Sequence, residues 1–189
     1  MFDVEAYSYE SKMDVTPSLI SKGCVKKDNE KYYSKFEDVE LLINGKRSLL
    51  VNNRLKKMTY NECNVMKKPD ANEVQKALDS FSTTDSVVLG DSKNGDIHFI
   101  AYSKTGYIQR TDLYVDSKTL FVKHILYQYV PPNDEYDMDV DRIEIFYKNI
   151  QIKQPEISSF SFEKYFKSSK DRKVALGKYN GYKITSYKS

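Results

Sequence analysis

Between Gly106 and Pro155 the chain reads GYIQRTDLYVDSKTLFVKHILYQYVPPNDEYDMDVDRIEIFYKNIQIKQP. Three segments rich in Ile, Leu, Val, Phe and Tyr are separated by short polar turns, which is the pattern of an antiparallel meander. The middle segment, Thr119 to Val130, is the most restrictive. Leu120, Val122, Leu126 and Val130 alternate onto one face, and Phe121, Ile125, Tyr127 and Tyr129 onto the other. A strand that is apolar on both sides needs a cover on each. What covers the second face is the functional question.

The flanking chain has the same character. Phe2 to Val15, Leu19 to Lys27, Lys31 to Phe36, Arg54 to Glu62, Ser86 to Gly90 and Asp96 to Ser103 all read as strands between polar breaks. VELLINGKRSLLV, Val39 to Val51, is a hairpin with Asn44-Gly45 at its tip. A strict two-residue turn there pairs Leu41 with Ser48 and mixes polar with apolar residues. A loop longer by one residue, with a bulge, instead puts Val39, Leu41 and Ile43 on one face with Leu49 and Val51. That second register is the expected one.

One helix is expected, Asp70 to Phe81. Asp70 caps it with Glu73 in the capping-box position, and Val74, Ala77, Leu78 and Phe81 form a single stripe. SFSFEKYFKSS reads as a second, short helix with Phe162, Tyr165 and Phe166 on one side, and KVALGKYNGYKITSYKS as a closing hairpin at Asn180-Gly181. About ten or eleven strands exceed the usual four to six of a sheet, so the sheet must curl. The expected fold is mainly β: one domain, residues 1–189, with a curved antiparallel sheet forming a half-open barrel and helices covering its concave side.

Composition narrows the function classes. Hydrophobic residues are 40% and charged residues 30% of the 189, a globular rather than disordered balance. A formal charge of +3 with scattered lysines argues against nucleic acid as a partner. No apolar run approaches the roughly 20 residues of a membrane helix, and Met1 to Met13 lacks the basic and apolar regions of a signal peptide. Cys24 and Cys63 have no spacing that decides between a disulfide and two packed thiols.

Catalytic and metal-binding patterns are weak. Asp134, Glu135, Asp137, Asp139 and Asp141 offer hard oxygen ligands. Counted from Asp137, however, an EF-hand fails at Arg142, where glycine is needed, and at Lys148, where glutamate is needed. The alternation of those acids runs on into Ile143, Ile145 and Tyr147, which reads as a solvated hairpin tip entering the core. Two histidines, His98 and His124, and two cysteines without CxxC spacing make no zinc set. No G-x-S-x-G, G-x-G-x-x-G or Walker pattern occurs. The reading is therefore a protein that is not an enzyme, with no cofactor and no metal.

The order of elements resembles the outer-membrane lipoprotein carrier (LolA-like) family. The likeness rests on KYYSKFEDVELLINGKRSLLVNNRLKKMTY (Lys31 to Tyr60), the helix after it, LYVDSKTLFVKHILYQY (Leu113 to Tyr129), DRIEIFYKNIQIKQP (Asp141 to Pro155) and the terminal KYNGYKI. Unlike that family, which opens with a helix, this chain begins in a strand at Phe2. The family's functional arginine falls on no one residue: Arg47, Arg54, Arg110 and Arg142 all compete. The resemblance implies a periplasmic or otherwise exported monomer whose partners are a lipid or lipoprotein acyl chain and a membrane-bound envelope protein.

The expected function is a cell-envelope carrier holding an acyl chain or similar apolar ligand. Its expected lining is Leu41, Ile43, Leu49, Val51, Phe99, Phe121, Ile125, Tyr127, Ile143, Ile145 and Tyr147, beneath a lid formed by Val74, Ala77, Leu78 and Phe81. The alternative is an envelope interaction module whose core is packed full and holds no ligand.

Overall fold

The structure is a computed structural model that describes residues 1–62, 86–92, 95–104, 106–131, 140–169 and 172–188. The fold is mainly β. The strands are β1 (Phe2–Tyr9), β2 (Ser18–Asp28), β3 (Lys31–Phe36), β4 (Val39–Asn44), β5 (Arg47–Asn52), β6 (Lys57–Glu62) and β7 (Ser86–Leu89). They continue with β8 (Asp96–Tyr102), β9 (Ile108–Asp116), β10 (Val122–Tyr129), β11 (Arg142–Lys148), β12 (Phe166–Ser169), β13 (Arg172–Ala175) and β14 (Lys183–Lys188).

Twelve strands join one sheet in the order β14-β6-β5-β4-β3-β2-β1-β11-β10-β9-β8-β7, while β12 and β13 pair separately. The order is open, with β14 and β7 at its two ends. Pairing is antiparallel from β2 through β6 and from β7 through β11. The last strand breaks the antiparallel expectation: β14 runs parallel to β6, with Ile184 beside Met58.

The expected terminal hairpin at Asn180-Gly181 is therefore absent. A 3-10 turn, Gly177–Tyr179, takes the chain from β13 to β14 instead, and Tyr182 N–H donates to the Tyr179 carbonyl. The expected short helix near Phe162 is likewise two 3-10 turns, Ile157–Phe160 and Phe162–Lys164. Extended Ser161 separates them, and its side chain accepts from Glu163 N–H, which ends one turn and caps the next. The helix expected at Asp70 to Phe81, with its lid residues Val74, Ala77, Leu78 and Phe81, lies outside the described residues. So do Cys63 and the acids Asp134, Glu135, Asp137 and Asp139.

The hairpin β4–β5 corrects the expected register. Asn44 pairs with Arg47, so Gly45 and Lys46 form the two-residue turn, and Leu42 faces Leu49 while Ile43 faces Ser48. Gly45 supplies the positive φ, 61°, that such a turn requires. The turn lies one residue beyond the Asn44-Gly45 tip, which shifts the pairing by two and needs no bulge. Leu41 and Ile43 consequently lie on the face opposite Leu49 and Val51.

The Cα framework divides into two compact units. The first comprises residues 1–3, 23–68 and 149–189; the second, residues 4–22 and 69–148. The core of the first unit packs Leu42, Leu49, Val51, Met58 and Tyr60 of β4–β6 against Phe160, Phe162, Tyr165, Phe166, Ala175 and Tyr179. Phe162 and Phe166 meet the Tyr60 ring edge-on. Leu49 is 0% exposed and Val51 1%, each contributing about 1.5–3 kcal/mol by leaving water. Among the described residues no helix is long and apolar enough to cross a membrane.

Candidate functional site

In the second unit the registers assemble one apolar face. Leu89, Phe99, Leu113, Ile125 and Ile145 form a row across five adjacent strands. Val87, Ala101, Thr111, Tyr127 and Ile143 form the next row. With strands about 4.8 Å apart, each row is roughly 19 Å long. Leu89 and Val87 are exposed, and the other members of both rows are half-buried. Tyr147 continues the alternation of Ile143 and Ile145 along β11.

Six of the eleven expected lining residues thus share this face: Phe99, Ile125, Tyr127, Ile143, Ile145 and Tyr147. Phe121 does not join them. The Asp116 carboxylate accepts from Lys118 N–H, Thr119 N–H and the Thr119 hydroxyl, which winds the chain into a turn. Leu120 takes a φ of 58° there, and Phe121 closes the turn through its carbonyl before β10 begins. Leu49 and Val51 belong to the filled core of the first unit, and Leu41 and Ile43 to the other face of the same hairpin.

The opposite face of the second unit is not the plain apolar surface that the alternation of Val122, Leu126 and Val130 suggests. His98, Tyr114, His124 and Phe146 are cross-strand neighbours whose rings stack in sequence, with centroids 4.3, 5.1 and 4.3 Å apart. Tyr7 meets Phe146 edge-on, at 5.9 Å. At the other end Gly90 lies flat on His98; a Cβ there would stand 2.3 Å from Nδ1, so no side chain fits. Both histidines of the chain are in this row. Their residue types carried no periodic signal; the strand registers alone bring them together.

Beside the row lies Asp112, 1% exposed. Its carboxylate accepts from Arg110 Nε and Nη2, both at 2.7 Å, and pairs with His98 Nε2 at 2.7 Å. Burial pushes its pKa up, but the Arg110 fork and His98 outweigh burial and hold it below the usual range. Burial pushes His124 down, partly offset by Glu144 and Asp112. Among the described residues His124 Nε2 is buried without a hydrogen bond, 3.8 Å from Glu144 Oε2, which already accepts from the Tyr9 hydroxyl.

Three of the four candidate arginines have evident structural roles. Arg110 holds Asp112. Arg142 lies 3.7 Å over the Tyr9 ring and donates to the Ser11 and Asp14 carbonyls. Arg47 lies 5.0 Å over Phe162. Arg54 is exposed in the turn before β6. No group of three or more His, Cys, Asp and Glu that could hold a metal occurs among the described residues.

A second polar centre, in the first unit, has no counterpart in the sequence reading. Glu40, 2% exposed, sits on the core face of β4. Its carboxylate accepts from the hydroxyls of Tyr33, Tyr165 and Tyr179, from Asn53 Nδ2 and from Lys178 Nζ, at 3.0–3.4 Å. Burial pushes its pKa up, yet Asn53, Tyr179 and Lys178 together bring it below the ordinary value. Burial beside this charge drives all three tyrosines up, so they stay protonated donors. The only hint in the sequence is the polar residue at an inward position of VELLIN.

No family model and no characterised protein sequence matches the chain. Among solved structures it is similar to a LolA superfamily protein from Nitrosomonas europaea. That alignment covers 86% of this chain and 89% of the other, at 11% identity and a TM-score of 0.33.

Proposed function

We propose that the protein is a non-enzymatic carrier of the cell envelope, periplasmic or otherwise exported, which holds an acyl chain or similar apolar ligand. The observation that supports this reading is the pair of apolar rows on β7–β11. Phe99, Leu113, Ile125, Ile145, Tyr127 and Ile143 form a continuous strip in which each side chain stays half-buried. Such a strip has the character of a ligand surface: mostly apolar, with a few hydroxyls to orient a head group. Tyr127 and Tyr147 supply those hydroxyls. Val74, Ala77, Leu78 and Phe81, outside the described residues, are the proposed lid, and a membrane-bound envelope protein the proposed exchange partner. The resemblance in strand-and-turn order points the same way.

Native mass spectrometry of protein purified from cells, followed by displacement of a fluorescent fatty acid, tests the reading. Bound lipid is expected, and Ile125→Glu is expected to weaken fatty-acid binding at least tenfold with the circular dichroism spectrum unchanged. Absence of both bound lipid and displacement would sink the proposal. One observation favours the alternative, an interaction module without ligand: the core of the first unit is filled by Phe160, Phe162, Tyr165 and Phe166. That alternative predicts no response to any lipid.

A further inference from the structure

Above the Glu40 centre, in the first unit, is a pocket of about 280 Å³ lined by Lys26, Tyr33, Glu40, Ser159, Lys164, Tyr165, Lys178 and Tyr179. Three ammonium groups and one carboxylate share this small space. The carboxylate is already saturated: three hydroxyls, an amide and Lys178 fill its lone pairs.

Lys26 is the informative member. In the β2–β3 ladder it pairs with Tyr33, and Tyr33 pairs with Leu42, so Lys26 projects from the face of the sheet that carries the core. It is half-buried, lies 5.9 Å over the Tyr33 ring and donates to Ser159 Oγ at 3.2 Å. Neither Lys26 nor Lys164 forms an ion pair among the described residues. A cation placed on a covered sheet face loses hydration, and a counter-ion compensates for that loss.

From these residues we infer that the pocket binds a phosphate oxyanion, held by Lys26, Lys164 and Lys178 and by the Ser159 hydroxyl. The hydroxyl protons of Tyr33, Tyr165 and Tyr179 point to Glu40 and are spent, so the anion takes its hydrogen bonds from the ammonium groups. Ser159 accepts from Lys26, which leaves its own proton to donate. Three ammonium groups lining one pocket without an arginine fork suit the tetrahedral, multiply charged phosphate better than a planar carboxylate. The shared chemistry admits two sources, a soluble phosphate compound or a phosphate lipid head group. This inference stands apart from the carrier reading, whose residues lie in the second unit.

The test is an amide NMR titration of the full chain at constant ionic strength. Its two arms are inorganic phosphate, and vesicles of phosphatidylcholine with and without phosphatidic acid. Lys164→Ala, an exposed position that leaves the Glu40 hydrogen bonds intact, and Lys26→Ala are the variants; Lys12→Ala, in the second unit, is the charge-matched control. Phosphate is expected to shift the amides of Lys26, Ser159 and Lys164, with each variant weakening binding about tenfold and the control leaving it unchanged. Binding to phosphatidic-acid vesicles that depends on Lys26 and Lys164, without response to free phosphate, assigns the head-group source. No response in either arm, or equal weakening by Lys12→Ala, overturns the inference.

Discussion

His124 occupies an unusual position for an ionisable side chain. Its ring lies between Tyr114 and Phe146 in parallel stacks, and Nε2 is buried with no hydrogen-bond partner among the described residues. Burial lowers its pKa, so the unfolded chain takes up the proton more readily than the folded one. The stability this supplies is complete above the unfolded value of about 6.5 and falls as the pH drops through the folded value. His124→Phe keeps a ring in the stack and removes the titration. Its melting temperature is expected to be nearly independent of pH between about 7 and 5, where the parent loses stability. Equal slopes for the two proteins would refute the assignment.

Among the elements, the C-terminal segment is tied down through one carboxylate. Tyr165, Lys178 and Tyr179 reach Glu40 from the stretch 165–179, which brings the two 3-10 turns and β12–β13 onto the core face of β4–β6. Tyr179→Phe removes one charge-assisted hydrogen bond and is expected to cost about 1.5–3 kcal/mol in chemical denaturation. Because the pKa of Glu40 is depressed, its contribution is present above about pH 4.3 and is lost as the pH falls through the folded value. Glu40→Gln should accordingly flatten the acid limb of the stability curve while lowering stability at neutral pH.

The sequence disclosed these elements unevenly, for physical reasons. Lys31 to Phe36 was legible from the polar turn Asp28-Asn29-Glu30 before it, and the β9–β11 meander because apolar alternation marks both a strand and its buried side. The β4–β5 register was not, because VELLI carries three adjacent apolar residues that satisfy either parity. The turn at Gly45-Lys46 decided it. Segment 157–166 holds aromatics at near-helical spacing, yet extended Ser161 divides it. That Phe99, Ile125, Tyr127, Ile143, Ile145 and Tyr147 share one face followed from alternation. Phe121 lies apart from them because its position depends on Asp116 hydrogen bonds within a turn. The Glu40 centre, joined from residues up to 139 positions apart, left no local trace.

At the scale of the whole molecule, the first unit is assembled from three separated stretches of chain and the second from two. Removing everything after Pro155 takes Phe160, Phe162, Tyr165, Phe166, Ala175 and Tyr179 out of one core. At about 1.5–3 kcal/mol for each of the five large side chains, the loss is comparable to the whole stability of a typical domain. Hydrogen exchange on that truncated chain is expected to show β4–β6 unprotected while β8–β11 keep slow amides. Uniform loss of protection would mean that the units do not fold separately.

The parallel strand β14 adds a constraint in time. Met58 waits for Ile184, and Glu40 for Tyr179, so contacts central to the first unit span more than a hundred residues. Such closures are slow to form. During synthesis on the ribosome, β4–β6 emerge early, and their Leu42, Leu49 and Val51 side stays uncovered until residues 160–184 have been added. A protein arranged in this way completes its first unit only once β14 has emerged, and holdase chaperones have an apolar surface to engage until then.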